Sequence, residues 1–127
     1  MEATRLSDRS QRLGEAGERL AAEHLTSLGY EIVDRNVRRP EGEIDLVAID
    51  DGTLVFVEVK LRTSRRLGGA VSALSDRKKA RMVELANAYL ADHPELPALG
   101  RIDLVGIDLR GNGEVGEINH IHTAVDA

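Results

Sequence analysis

Residues 42 to 60 read GEIDLVAIDDGTLVFVEVK: two apolar runs joined by Asp51-Gly52 and interrupted by Asp45, Glu58 and Lys60. An Asp-Gly pair between hydrophobic runs signals a two-residue hairpin turn, because both turn positions need positive φ. With that turn Leu54 faces Ile49, Phe56 faces Val47, and Glu58 faces Asp45. Facing side chains stand about 4.5–5.5 Å apart at Cβ, where like charges are destabilising. Lys60, two residues past Glu58, projects from the same face. Two carboxylates and an ammonium therefore converge at the end of an otherwise apolar face. A three-residue loop would slip the register by one and separate them unless a bulge restored it.

Two readings of this convergence stay open. In one, Lys60 bridges to one acid and the other reaches solvent. In the other, the surplus negative charge holds a divalent cation; Mg²⁺ binds through one or two carboxylates while keeping waters and accepting phosphate oxygens. Glu18 is a candidate third carboxylate. It lies seven residues before Leu25, at the edge of an apolar helical stripe, and so points toward whatever that helix covers. Taken alone it is an ordinary helix-surface glutamate.

That stripe, Leu13, Leu20, Ala21, Leu25 and Leu28, predicts a helix over residues 10 to 28 capped by Gly29, with residues 1 to 9 as a flexible N-terminus. YEIVDRN reads as a short strand and RRPEG as the turn into the hairpin. Residues 62 to 74 contain Gly68 and Gly69, keep no steady period, and are expected to form a mobile basic loop. Ser75 is a fitting N-cap with Asp76 in the first turn, and Met82, Val83, Ala86, Tyr89 and Leu90 make the stripe of a second helix. RIDLVGIDL and EVGEINHIHTAV alternate like strands around RGNG, giving the order α-β-β-β-α-β plus a C-terminal strand. EIDLVAID (43 to 50) and RIDLVGID (101 to 108) agree at six of eight positions, but their flanks differ, so chance likeness between half-buried strands accounts for it. His120 and His122 share one strand face; with no third ligand near them in sequence, a surface or packing role is expected.

A chain of 127 residues suits a single domain, 1 to 127. The absence of cysteine excludes disulfides, a thiol nucleophile and thiolate zinc sites, and suits a reducing compartment. No segment resembles a signal peptide or a membrane span, so the expected address is the cytoplasm. The net charge of -5 hides a division: residues 60 to 81 carry eight basic residues (Lys60, Arg62, Arg65, Arg66, Arg77, Lys78, Lys79, Arg81) against Asp76 alone. Several stand in the first turns of the second helix, where they oppose its dipole, which favours anion binding over helix stability. Tyr30, Phe56 and Tyr89 are the only aromatic residues, too few for a base-stacking platform.

GEAGERLAAEHLTSLGYEIVDRNVR, GEIDLVAID, LVFVEVKLR and RIDLV, in this order over about the first 109 residues, resemble the YraN-like family of uncharacterised endonuclease-like proteins. That family is similar to the PD-(D/E)XK nuclease superfamily and, within it, to archaeal Holliday junction resolvases. The ordered strings are far more specific than an acid followed by Glu-X-Lys. The motif acid falls on Asp45, the Glu-X-Lys on Glu58, Val59 and Lys60, and the helix-borne acid on Glu18; Ile44 stands where the superfamily's name has proline. The resemblance implies an α/β fold with a restriction-endonuclease-like core, a mixed central sheet flanked by helices with the motif hairpin at its centre.

It also implies a Mg²⁺-dependent endonuclease, with Mn²⁺ as substitute, acting on structured or branched DNA in recombination or repair. Asp45 and Glu58 would hold the metal, with the Val59 carbonyl as a further ligand and Glu18 completing the shell, and Lys60 would assist the reaction. The basic residues Arg62, Arg65, Arg66, Arg77, Lys78, Lys79 and Arg81 would meet flanking phosphates. A homodimer would supply the two symmetric sites that junction cleavage needs. The competing expectation is a non-catalytic nucleic-acid-binding or protein-interaction module that keeps the nuclease fold.

Overall fold

A computed structural model describes residues 2 to 62 and 75 to 125, with side chains at 12 to 61, 75 to 123 and 125. Its elements follow the expected order: α1 (Glu2–Ser27), β1 (Glu31–Arg39), β2 (Gly42–Asp50), β3 (Thr53–Arg62), α2 (Asp76–Ala91), β4 (Leu99–Leu109) and β5 (Val115–Ala124). Helix α1 takes in residues 2 to 9, which the apolar spacing left outside it.

The five strands form one mixed sheet in sequential order, β1-β2-β3-β4-β5, antiparallel at each junction except β3–β4, which is parallel. A parallel junction needs a crossover, and α2 lies in that connection. Strand β3 reads LVFV without polar interruption because helices cover both faces: Leu54, Val55, Phe56 and Val57 have no exposed surface. On one face Ala21, Ala22 and Leu25 of α1 pack on Leu46, Val55, Val57 and Val105. On the other, Met82, Leu85, Ala86 and Tyr89 of α2 pack on Val47, Leu54, Phe56 and Ile102. The molecule has the α/β core expected of a restriction-endonuclease-like fold. Among the described residues no helix is long and apolar enough to cross a membrane.

The hairpin turn is the one its sequence demands. Asp51 and Gly52 have φ of 50° and 81°, and Asp50 pairs with Thr53, Ile49 with Leu54 and Val47 with Phe56. Ser75 caps α2 by accepting from the Lys78 N–H at 3.2 Å. A Cβ at Gly52 would meet nothing within 4 Å, so the cost of Gly52→Ala is conformational: about 1–2 kcal/mol for a left-handed L-residue, read as a lowered denaturation midpoint at unchanged m-value.

Candidate functional site

The β2–β3 ladder runs from Asp50↔Thr53 to Leu46↔Val57 and stops there. Below that point β2 continues beside β1 as far as Arg39↔Gly42, while β3 continues beside β4 as far as Arg62↔Asp108. The sheet thus opens as a fork, and Asp45 and Glu58 are the first residues past its closed end. Asp45 Oδ2 accepts a 2.7 Å hydrogen bond from the Val59 N–H across the gap. Asp45 and Glu58 both line a cleft of about 340 Å³ between the fork and α2.

The cleft wall carries four carboxylates, Glu41, Glu43, Asp45 and Glu58, against two cations, Lys78 and Arg81. Burial raises the Asp45 carboxyl above its ordinary range; the Val59 N–H opposes this, and the Glu58 charge adds to it. Glu58 is only 17% exposed in its side chain, and its Oε2 is buried without a hydrogen-bond partner. A buried, unpaired carboxylate oxygen is costly, and with an adjacent acid it forms a donor set suited to a hard divalent cation.

Glu18 approaches from the opposite side. Gly17 makes this approach feasible: a Cβ there would lie 3.3 Å from Leu61 Cβ, so α1 crosses the end of β3 at close range. Burial raises the Glu18 carboxyl, a hydrogen bond with Asn36 lowers it, and the Asp45 charge raises it. Asn36 is a left-handed non-glycine residue (φ 51°) inside β1, between the pairs Arg35↔Leu46 and Val37↔Ile44 and thus beside Asp45. Glu18, Asn36 and Asp45 therefore form a polar line across the sheet edge. Asn36 was read only as the end of a short strand; its one sequence signal is that Asn tolerates φ > 0 better than other non-glycine residues.

The cations are distributed differently from the simple expectation. Lys78, from the first turn of α2, is paired with Glu58 Oε1. Lys60 is half-buried, does not line the cleft, and makes no ion pair among the described residues. Helix α2 is held in place from its far end by Tyr89 Oη donating to Asp34 (2.9 Å) and by Arg39 donating to Asp92 (2.9 Å). Arg81 shares the cleft, Arg77 is exposed, and Lys79 lies on the other flank of α2 beside Val83 and Val125. Arg65, Arg66 and most of the expected basic loop, residues 63 to 74, lie outside the described residues, as does the side chain of Arg62.

A second polar cluster occupies the α1 face. Asp103 is fully buried, and its carboxylate accepts from Tyr30 Oη (3.0 Å), Arg101 Nε (2.7 Å) and His120 Nε2 (2.7 Å). His122 Nε2 lies 3.7 Å from Asp103 Oδ2. The third group that the sequence lacked beside His120 and His122 is thus supplied by the neighbouring strand, through the pair Asp103↔His122.

The family model of the uncharacterised protein family UPF0102 matches residues 17–107. A UPF0102 protein of Symbiobacterium thermophilum is 48% identical over 106 residues, covering 84% of this chain and 90% of the relative. One of Roseiflexus castenholzii is 43% identical over 123 residues, covering 95% and 98%. One of Mycobacterium tuberculosis is 42% identical over 113 residues, covering 86% and 88%. The matched span contains Glu18, Asp45, Glu58 and Asp103, and the chain belongs to the uncharacterised, YraN-like protein family UPF0102.

Proposed function

We propose that the protein is a divalent-metal-dependent endonuclease acting on structured or branched DNA. The observation that carries this reading is the buried, partnerless Oε2 of Glu58 next to Asp45 at the fork. Asp45 and Glu58 would hold Mg²⁺, with Mn²⁺ as substitute; the Val59 carbonyl and Glu18 are further donors by family resemblance. Such an ion supplies positive charge that polarises a phosphate and acidifies water. The Val59 N–H orients Asp45, and Asn36 holds Glu18 at the same edge. Lys78 stands in for a cation at Glu58 and is released to a phosphate when another cation takes that carboxylate. Arg81 meets the flanking backbone, and Lys60 offsets charge that builds on the phosphate in the transition state. Phosphate contacts carry no base information, so recognition of DNA would rest on shape.

The pairing of Lys78 with Glu58 also favours a second reading, a nucleic-acid-binding module that keeps the fold and has closed its metal site with lysine. Incubation with single-stranded, duplex, flap and four-way DNA separates the two. The enzyme cuts a branched substrate with Mg²⁺ and stops with chelator or with Glu58→Gln; binding to the panel without any cut by a folded, metal-bound protein overturns it. Lys60→Ala should lower the cleavage rate by about 10² at unchanged metal affinity, whereas Lys78→Ala should tighten metal binding by freeing Glu58.

Asp45 gives a test that needs no DNA. Its carboxyl is raised above the ordinary 3.8, so the stabilising contribution of the neutral form is whole below that value and is lost as pH rises through the elevated one. In chelator, Asp45→Asn should therefore melt higher than wild type at about pH 7, with the gain vanishing toward about pH 4. Millimolar Mg²⁺ should raise the melting temperature of wild type and leave that of Asp45→Asn unchanged.

A further inference from the structure

We propose that Asp103, His120 and His122 form a second metal site, for a zinc-class divalent cation, on the sheet face opposite the fork. A carboxylate oxygen of Asp103 and one ring nitrogen from each histidine lie within 4.8 Å of one another, close enough to converge on one ion after small rotations. Two imidazoles and a carboxylate suit Zn²⁺ or Co²⁺ over Mg²⁺, which prefers oxygen ligands. The groups are graded in access: the Asp103 side chain is fully buried, His120 is 11% exposed and His122 51% exposed, so entry is from the His122 side and a water position stays open there.

Surrounding groups hold the ligands in place. Arg101 holds Asp103 Oδ1 through Nε at 2.7 Å and reaches Oδ2 through Nη2 at 3.2 Å, where Tyr30 Oη also donates at 3.0 Å, and Asp50, 3.0 Å from Nη2, shares the guanidinium charge. His120 Nδ1 lies 3.3 Å from His24 Nε2 of α1. A carboxylate only accepts, so without metal a neutral His120 ring donates through Nε2 to Asp103, and its Nδ1 accepts from His24. Ligation through His120 Nε2 moves one proton from Nε2 to Nδ1 on each of these two rings. His120 then donates to His24, both rings stay neutral, and no proton is lost. His24 is a positioning residue in this arrangement.

Metal-stripped full-length protein is titrated with Co²⁺ and with Zn²⁺ in excess Mg²⁺, following Co²⁺ ligand-field absorption, calorimetry and melting temperature. One ion should bind per chain, raise the melting temperature, and bind equally well to Asp45→Asn, which separates this site from the fork. His122→Ala, at an exposed position that leaves the fold intact, should abolish the Co²⁺ spectrum, and His24→Gln should weaken binding by about 10- to 100-fold. Absence of saturable binding to wild type, or an unchanged spectrum and affinity in His122→Ala, overturns the assignment and leaves the cluster as a structural hydrogen-bond network.

Discussion

The point at which β2 parts from β3 sets the geometry of the whole fork. Had the ladder continued, Glu58 and Asp45 would stand directly opposite, two like charges against the covering helix. Instead pairing ends at Leu46↔Val57, and the Asp45 side chain takes the Val59 N–H in place of a strand partner. One hydrogen bond thereby satisfies a donor, orients a carboxylate and keeps the fork from opening further. Each arm of the fork stays anchored to its outer neighbour, β1 or β4, so the gap costs the sheet little.

The octets EIDLVAID and RIDLVGID flank β3 on its two sides, and the difference in their surroundings separates the two acids. Paired residues share a face, and Asp103 pairs with Val57 of the α1 face, whereas Asp45 lies past the last β2–β3 pair and lines the cleft beside α2. Asp45 has one backbone donor and a like-charged neighbour. Asp103 is opposed by burial, but hydrogen bonds from His120, Arg101 and Tyr30 more than compensate and hold its carboxyl below the ordinary range. The same four letters, IDLV, thus give one acid that burial favours as neutral and another that its donors keep ionised.

Local chemistry was legible in the sequence wherever a few adjacent residues decide it. Asp51-Gly52 set the hairpin register and Ser75 the start of α2. What stayed hidden depends on distant parts of the chain. That Lys78 reaches Glu58 follows from how α2 docks, which Tyr89 and Arg39 govern from the other end of the helix. That His120 and His122 meet Asp103 follows from a register shift between Asp108 and Leu109: carried on from Leu109↔Val115 without it, Asp103 would face Ile121. A one-residue bulge beside RGNG moves the histidines into place, and nothing in RGNG announces it. The close pass at Gly17 is similar, since the neighbour that requires a missing side chain, Leu61, is forty-four residues away.

The choice of cation at each acid follows the permanence required of the contact. Arg101 holds Asp103, Asp50 and the Tyr30 hydroxyl together through a planar set of donors whose geometry is fixed. Lysine on a flexible stem is a point charge with no such geometry to lose, and Lys78 meets a single oxygen of Glu58 from a helix turn that is half open to solvent. Oε2 remains without a partner while Oε1 is served, so the lysine satisfies only half of the carboxylate. Arginine at the buried network therefore meets its partners through several donors, and lysine at the cleft meets its partner through one. A counter-charge held at one point beside a partnerless carboxylate oxygen is the arrangement that the proposed cation site at the fork requires.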